Sequence, residues 1–315
     1  MAPEPVYLEL YRSGELSGRV NLAREILSCC RLCPRCCQVN RLAGEIGSCR
    51  TKSLAIVSSY NPHFGEEAPL VGYHGSGTIF FTNCNLKCVF CQNYPISQLG
   101  EGEEVSKETL AKMMLSLQAM GCHNINLVTP THVVPQILEA LGIAVAKGLS
   151  IPLVYNSGGY ESVETIKLLD GVVDIYMPDM KYSNDELARK YSGIENYPLV
   201  NRAAVKEMHR QVSELEMDEH GIAVRGLLVR HLVLPNRLAG TAEVVHFLAE
   251  EISPNTYLNI MAQYRPTHKA FQFAELSRPI TKEEFAEAIN LAREQGLWRL
   301  DRIRPISVVL RRALN

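Results

Sequence analysis

The feature that most constrains the fold is a regular alternation of short β-rich runs with longer helical patterns, beginning near residue 77. The runs predict strands at 78–82, 124–128, 152–156, 173–177, 227–234 and 257–262. The helical patterns between them cover 107–120, 133–147, 162–169, 185–191 with 200–215, and 241–251. Strands that alternate with helices pair in parallel through right-handed crossovers. The pattern therefore predicts an α/β fold, either an open doubly wound sheet or a barrel.

The two ends of the chain differ from this alternating region. Near the start, a helical stretch over 16–27 precedes a segment rich in cysteine, and near the end a helix over 282–294 precedes an apolar run, 306–310. We expect three parts: an N-terminal helical and cysteine-rich metal-binding segment over 1–70, the alternating domain over 71–265, and a C-terminal extension over 266–315 that packs on that domain.

Composition and charge exclude several classes of partner. A net charge of −2 over 315 residues provides no attraction to nucleic acid or an anionic membrane. No apolar stretch approaches the roughly 18–20 residues that span a bilayer, and the first residues, Met-Ala-Pro-Glu-Pro, lack the features of a secretion signal. We therefore expect a cytoplasmic protein with no nucleic-acid or membrane partner, whose ten cysteines bind metal rather than form disulfides.

Three of these cysteines, Cys84, Cys88 and Cys91, form the run C-N-L-K-C-V-F-C directly after the first predicted strand. A complete four-iron cluster usually takes four cysteines, so three thiolates leave one iron open to a small molecule. A loop that follows a strand lies at the carboxyl edge of the sheet, where α/β folds place their sites. A zinc site or a structural thiol cluster is the alternative, although zinc prefers four closed ligands.

This C-x3-C-x2-C spacing, with the aromatic Phe90 before the third cysteine, resembles the signature of the radical S-adenosylmethionine (SAM) superfamily. The resemblance implies a 4Fe–4S cluster whose open iron binds SAM, and whose electron cleaves SAM to a hydrogen-abstracting 5′-deoxyadenosyl radical. It also implies a partial (β/α)6 TIM-like barrel, which decides between the two architectures. The expected fold is thus an α/β partial barrel with a small cysteine-rich segment before it.

A longer stretch, 77–94, is similar to the motif of pyruvate formate-lyase activating enzymes and their relatives, which carry an asparagine at the position of Asn93. The run Met177-Pro-Asp179-Met-Lys181 ends the fourth predicted strand and resembles the strand-end Asp-x-Lys of that group. The resemblance implies that Met177 and Asp179 lie beside the SAM carboxylate and that Lys181 faces the substrate. An ordinary exposed salt pair is the structural alternative.

Other SAM-binding residues are expected where the second and third predicted strands end. Many radical SAM enzymes have Gly-Gly-Glu after the second strand, whereas this chain has Thr129-Pro-Thr131-His132. Hydroxyls and a carbonyl there could accept the SAM ammonium hydrogens, and His132 alternatively begins the next helix without a catalytic role. After the third strand, Asn156 or Ser157 is expected to bind SAM, with a plain turn as the alternative.

Two later strands complete the expected site. Arg230 and His231 alternate faces within the fifth strand, so only one of them points inward. Arg230 is the better partner for the SAM carboxylate because its guanidinium suits bidentate contact. Gln263 and Tyr264 end the sixth strand and are candidates to flank the adenosine.

The N-terminal segment holds six cysteines between Cys29 and Cys49. The pattern C-x-x-C-P-R-x-C followed by G-E-x-G-x-C resembles the leader of uncharacterised radical SAM proteins related to the activating enzyme. A plausible set of four metal ligands consists of Cys30, Cys33, Cys37 and Cys49. Four thiolates suit either zinc or a second iron–sulfur cluster, so the metal stays open at this point.

The sequence therefore predicts a radical SAM enzyme of the activating-enzyme type. The resemblance implies hydrogen abstraction from a protein such as a glycyl radical enzyme, with reduced flavodoxin or ferredoxin as the electron donor. Two alternatives are radical modification of a small metabolite or peptide, and an iron–sulfur electron-transfer protein without catalysis. A strand-end location of Asp179 and Lys181 at the barrel mouth favours catalysis.

Overall fold

A computed structural model describes residues 3–301. Its helices are α1 Tyr7–Ser13, α2 Glu15–Ile26, α3 Ala68–Val71, α4 Lys107–Ala119, α5 Val134–Ala146, α6 Val163–Leu168, α7 Asp185–Ser192, α8 Tyr197–Val212, α9 Thr241–Phe247 and α10 Lys282–Glu294. Its strands are β1 Ala55–His63, β2 Ser76–Phe81, β3 Glu103–Val105, β4 Ile125–Val128, β5 Leu153–Ser157, β6 Ile175–Pro178, β7 Glu216–Met217, β8 Ala223–Leu232 and β9 Tyr257–Met261. The apolar run expected at 306–310 lies outside the described residues.

The sheet contains a run of parallel strands in the order β2-β4-β5-β6-β8-β9. These are the six strands predicted from the sequence, and the predicted helices lie between them. In the described part of the chain, β9 does not pair with β2, so the parallel strands form an incomplete barrel. The predicted α/β fold, a partial (β/α)6 barrel, is confirmed.

Two strands that the sequence analysis did not anticipate extend this sheet beyond β2. β1 pairs antiparallel with β2, and β3 pairs antiparallel with the first residues of β1. β1 lies within the N-terminal part of the chain, so that part contributes to the same sheet as the barrel. The proposed boundaries at 70 and 265 stay predictions.

The strands have two differently packed faces because successive side chains alternate. Leu153 and Tyr155 belong to the large core between the sheet and the helices, whereas Val154 belongs to a smaller cluster on the other face. That smaller cluster fills part of the barrel interior and consists of Leu70, Val154, Ile175, Met177, Leu215, Ala223, Leu228 and Tyr257. The apolar interior ends below the carboxyl edge of the strands and leaves polar side chains above it.

Local sequence explains where several helices begin. The Ser106 and Asn184 side chains accept the N–H groups of Thr109 and Leu187 and so cap α4 and α7. Thr281 and Glu284 form a capping box at the start of α10. Within residues 3–301, no helix is both long enough and apolar enough to cross a membrane.

Candidate functional site

The loop after β2 carries the three cysteines of the central motif and is fixed by its neighbours. It begins at Asn83, whose backbone is left-handed with φ of 72°. The Asn83 side chain accepts a hydrogen bond from Arg50 at 3.0 Å and donates one to Thr51 at 3.3 Å. Farther along, the backbone N–H groups of Lys87 and Val89 donate to carbonyls at the end of α7. The cysteines are therefore held in place by surrounding structure.

Each cysteine sulfur in this loop has a polar hydrogen nearby. The pairs are the Leu86 backbone N–H and Cys84 at 3.3 Å, the Ser192 hydroxyl and Cys88 at 3.0 Å, and the Ser97 hydroxyl beside Cys91 at 3.1 Å. Burial raises the pKa of the Cys84 thiol to about 12, and a bound metal supplies the positive charge that deprotonates such a thiol. Three thiols with donors to sulfur fit three corners of an iron–sulfur cluster.

The same cysteines line a cavity of about 310 Å³ at the carboxyl edge of the parallel strands. Parallel strands bring their carboxyl ends to one edge, which is why residues far apart in sequence meet there. The predicted site residues that also line this cavity are Asn93, Thr129, Asn156, Ser157, Asp179, Lys181 and Arg230. Polar groups thus face the thiols across one space, which we call the central cavity.

Asp179 lies between two cations in the central cavity. One of its oxygens accepts the Nε hydrogen of Arg230 at 2.8 Å, and the other accepts from Lys181 Nζ. A second arm of Arg230 donates to the Asn156 side-chain oxygen at 2.6 Å. Burial opposes ionisation of Asp179, but the two cations outweigh it and lower its pKa. The arrangement is a buried, ionised cluster rather than an exposed salt pair.

Two acidic residues that the sequence alone did not mark lie close to Arg230 at the central cavity. Glu66 and His63 line it, with Glu66 Oε1 3.4 Å from His63 Nδ1. Glu67 Oε1 accepts a hydrogen bond from Asn259 on β9 at 2.9 Å and lies 3.9 Å from Arg230 Nη1. Burial raises the pKa of Glu67 to about 7. The signal available in the sequence was two adjacent carboxylates between Gly65 and the Ala-Pro start of α3.

Three other predicted SAM-binding residues lie in packed surroundings. The Phe90 ring makes edge contacts with Tyr182 and with Tyr264, whose hydroxyl donates to a backbone carbonyl. Met177 belongs to the apolar cluster of the barrel interior. Thr131 donates to Glu161 at 2.6 Å. Their roles in binding SAM stay predictions.

Glu161 is a second buried acid that the sequence analysis missed. Its two oxygens accept hydrogen bonds from Thr131 and, at 3.0 Å, from the Tyr155 hydroxyl. Burial raises the pKa of Glu161 to about 7 despite these donors. It joins the turn after β4 to the turn after β5, and so positions two of the loops that end at the central cavity.

The N-terminal cysteines surround a second cavity, which we call the N-terminal cavity. Its lining includes Cys30, Cys33, Cys36, Cys37 and Cys49, and both Cys29 and Cys36 are exposed. Other residues that line it include Arg35, Arg41 and His132. The Ser48 backbone N–H donates to Cys37 Sγ at 3.4 Å. The structure thus brings the predicted ligands Cys30, Cys33, Cys37 and Cys49 to one place and adds Cys36.

The distances between the cysteine side chains indicate which kind of metal centre they could bind. Within residues 3–301, no three side chains of His, Cys, Asp or Glu are grouped as the ligands of one metal ion would be. Cysteines on a cuboidal cluster each bind a different iron, so their sulfurs stand farther apart than those around a single ion.

The chain is similar to known proteins in sequence and in fold. The model of the Radical SAM superfamily matches residues 78–209. The chain is 34% identical over 299 residues to the uncharacterized protein MJ0674 of Methanocaldococcus jannaschii, which covers 92% of this chain and 82% of that protein. The archaeal relative therefore matches nearly the whole chain.

One solved structure supports the architecture, and a second is similar over part of its length. A radical SAM methyltransferase from Sphaerobacter thermophilus aligns with a TM-score of 0.50 and 14% identity, over 73% of this chain and 67% of that one. SuiB of Streptococcus suis, solved bound to precursor peptide SuiA, aligns with a TM-score of 0.48 and 10% identity over 70% of this chain. This chain spans 46% of that SuiB structure. With fold and family match in agreement, the chain belongs to the radical SAM superfamily, whose members use a 4Fe–4S cluster and SAM.

Proposed function

We propose that this protein is a radical SAM enzyme of the activating-enzyme type, which abstracts hydrogen from a glycyl radical enzyme or a comparable protein target. The cluster and SAM, when bound, supply the 5′-deoxyadenosyl radical for that abstraction. The observation that carries the proposal is the central cavity, where three cysteine thiols face Asp179, Lys181 and Arg230. The similarity of 77–94 and of the strand-end Asp-x-Lys to activating enzymes supports the choice of target.

The roles of the residues follow from their positions. Cys84, Cys88 and Cys91 hold three irons. Buried, hydrogen-bonded polar groups suit the amino-acid end of SAM. We assign that contact to Asn93, Thr129, Asn156, Ser157, Asp179 and Arg230. Phe90, Thr131 and Met177 complete the SAM site as a second layer of residues. Lys181 faces the substrate, and its pKa is raised because Asp179 outweighs the effect of burial. It therefore stays a cation at neutral pH.

We further propose that reduced flavodoxin or ferredoxin donates the electron and that the reaction takes place in the cytoplasm. All ten cysteines are free thiols, which a reducing compartment preserves. We also propose a second metal centre, zinc or iron–sulfur, at Cys30, Cys33, Cys37 and Cys49. A segment with six cysteines and little apolar sequence needs such a metal to become ordered.

The proposed activity is tested by anaerobic reconstitution with iron, sulfide and SAM, followed by an assay for 5′-deoxyadenosine. We expect the wild-type protein to release it on reduction and Cys88→Ala to release none, with most of the reducible cluster signal lost. Cys122→Ala is the matched control, because Cys122 is buried and belongs to neither cysteine group. Release of 5′-deoxyadenosine by the triple variant C84A/C88A/C91A would contradict the proposal. A wild-type cluster that can be reduced but does not cleave SAM would favour an electron-transfer protein without catalysis.

A further inference from the structure

A buried histidine of the barrel borders the N-terminal cavity. His132 lies in the turn of 3₁₀ helix Thr131–Val133 after β4 and is 1% exposed. His132 lines the N-terminal cavity together with the cysteines. It lies about ninety residues beyond that segment in the sequence, so only the fold brings them together.

The orientation of the imidazole follows from its one hydrogen bond. His132 Nε2 lies 2.9 Å from the backbone carbonyl of Thr82. A carbonyl only accepts, so Nε2 carries the hydrogen, and the Nδ1 atom of the neutral ring holds a lone pair. Among the described residues, that buried Nδ1 has no hydrogen-bond partner. Histidine ligands of metals typically donate one ring N–H to a carbonyl or carboxylate and keep the other ring nitrogen unprotonated. His132 has this arrangement.

A second observation in the N-terminal cavity concerns charge. Arg41 is 1% exposed, and its guanidinium donates to the carbonyls of Lys52 and His132. Its Nη1 lies 4.0 Å from Cys30 Sγ. In the part of the chain that is described, these partners include no carboxylate, although a buried cation needs an opposite charge. A metal centre with thiolate ligands is anionic and supplies it.

We propose that His132 Nδ1 is a ligand of the metal centre at the N-terminal cysteines, where it binds the metal together with cysteine thiolates. Mixed sets of cysteine and histidine hold iron–sulfur centres as well as zinc. The wide spacing of these side chains among the described residues favours a cluster over a single ion. The Arg41 guanidinium supports this role twice, since it holds the His132 carbonyl in place and compensates the charge of the thiolates. The inference rests on the second metal centre proposed above and is independent of the substrate.

The test uses the full chain with C84A/C88A/C91A, so that the metal left belongs to the N-terminal cavity. Elemental analysis first identifies that metal. If it is iron, pulsed EPR of reduced protein grown with ¹⁵N-histidine detects a bound imidazole nitrogen; if it is zinc, X-ray absorption at the zinc edge does so. We expect nitrogen coordination in this parent and its loss in H132A and in H132C, with H132C retaining more metal because a thiolate replaces the imidazole.

His231→Ala is the matched control, because His231 is also fully buried but both of its ring nitrogens have partners within hydrogen-bonding distance, at 2.7 and 2.9 Å. It should keep the nitrogen signal. A metal coordinated by sulfur alone in the parent would overturn the assignment of His132, and so would a nitrogen signal that survives in H132A. Neither result would argue against the metal centre itself. Absence of any metal overturns both. If the parent does not fold, the same comparison of wild type with H132C, without SAM, decides the question.

Discussion

The carboxylate of Asp179 organises the central cavity, because it separates two cations that would otherwise face each other. Arg230 and Lys181 both bind it, and their side chains are 17% and 16% exposed. Interactions of this kind are strong because burial removes competing water. The backbone carbonyl of Asp179 is also fixed, since it accepts hydrogen bonds from Tyr197 and Asn201 on α8. The side chain therefore starts from a backbone position that a substitution should not disturb.

We expect Asp179→Ala to weaken SAM binding by about ten- to a hundredfold, the equivalent of a lost charge-assisted contact of ~1.5–3 kcal/mol. Lys181→Ala should spare SAM affinity, because Lys181 is assigned to the substrate, and it serves as the matched control. Equilibrium binding of SAM to reconstituted protein measures both. Equal affinity of Asp179→Ala and wild type would favour a purely structural ion cluster.

At the scale of elements, the cysteine-rich segment and the loop after β2 are joined by arginines. Arg35 donates to the carbonyls of Asn85 and Gly193, and Arg50 donates to the Asn83 side chain and to the Gln98 carbonyl. Hydrogen bonds from a charged donor contribute about 1.5–3 kcal/mol each. The loop that holds the central cysteines thus depends on a segment that precedes the barrel.

We expect Arg50→Ala to lose iron from the central motif about tenfold faster than wild type when challenged with a chelator, because Asn83 is then less well fixed. The bleaching rate of the cluster absorbance, compared between Arg50→Ala and wild type, measures this. Arg12→Ala is the control, since Arg12 forms an exposed ion pair with Glu4. Identical bleaching rates for Arg50→Ala and wild type would contradict the coupling of the two segments.

At the scale of the whole molecule, a buried carboxyl makes stability depend on pH. Asp174 accepts the N–H groups of Val6, before α1, and Leu153, at the start of β5, each at 2.8 Å. Burial raises its pKa to about 7 despite these donors. Since the folded state keeps a proton that the unfolded state releases near pH 4, the free energy of unfolding falls as pH rises from about 4 to 7.

In wild type, the free energy of unfolding should fall by on the order of a few kcal/mol between pH 4 and pH 7. We expect this decrease to be smaller in Asp174→Asn, because asparagine does not titrate. Urea unfolding across that pH range, with wild type and variant compared at each pH, measures the difference in slope. The variant should also be less stable at low pH, since its amide nitrogen faces one of the two N–H groups. Parallel pH profiles for the two proteins would show that Asp174 does not contribute the dependence.

The parts of this structure that could be predicted from the sequence have a local signal. The six parallel strands are short runs of β-branched and aromatic residues, and the central cysteines directly follow the first of them. β1 lacked such a signal, because it includes Pro62 and several exposed positions. With β1 unrecognised, Glu66 and Glu67 had no strand end to mark them, although Glu66 lines the central cavity and Glu67 lies 3.9 Å from Arg230.

Other features depend on packing that no local pattern contains. Glu161 becomes a buried acid because two turns close over it, and His132 reaches the N-terminal cavity because a turn of the barrel meets a segment from the other end of the chain. The sequence alone left His132 as either a SAM contact or the start of a helix. Its tautomer and its unpartnered nitrogen became apparent only with the carbonyl of Thr82 in place.

The distance along the chain between the N-terminal cysteines and the residues that cover them also affects biosynthesis. Arg35 binds the Gly193 carbonyl 158 residues later, and the Thr165 hydroxyl binds the Leu32 carbonyl across 133 residues. At ribosomal speeds of about 5–20 residues per second, the cysteines emerge on the order of 10–30 s before these partners exist. During that interval the nascent thiols are open to oxygen and to the wrong metals. Growth conditions during translation, rather than reconstitution afterwards, should therefore decide how much intact N-terminal site a preparation contains.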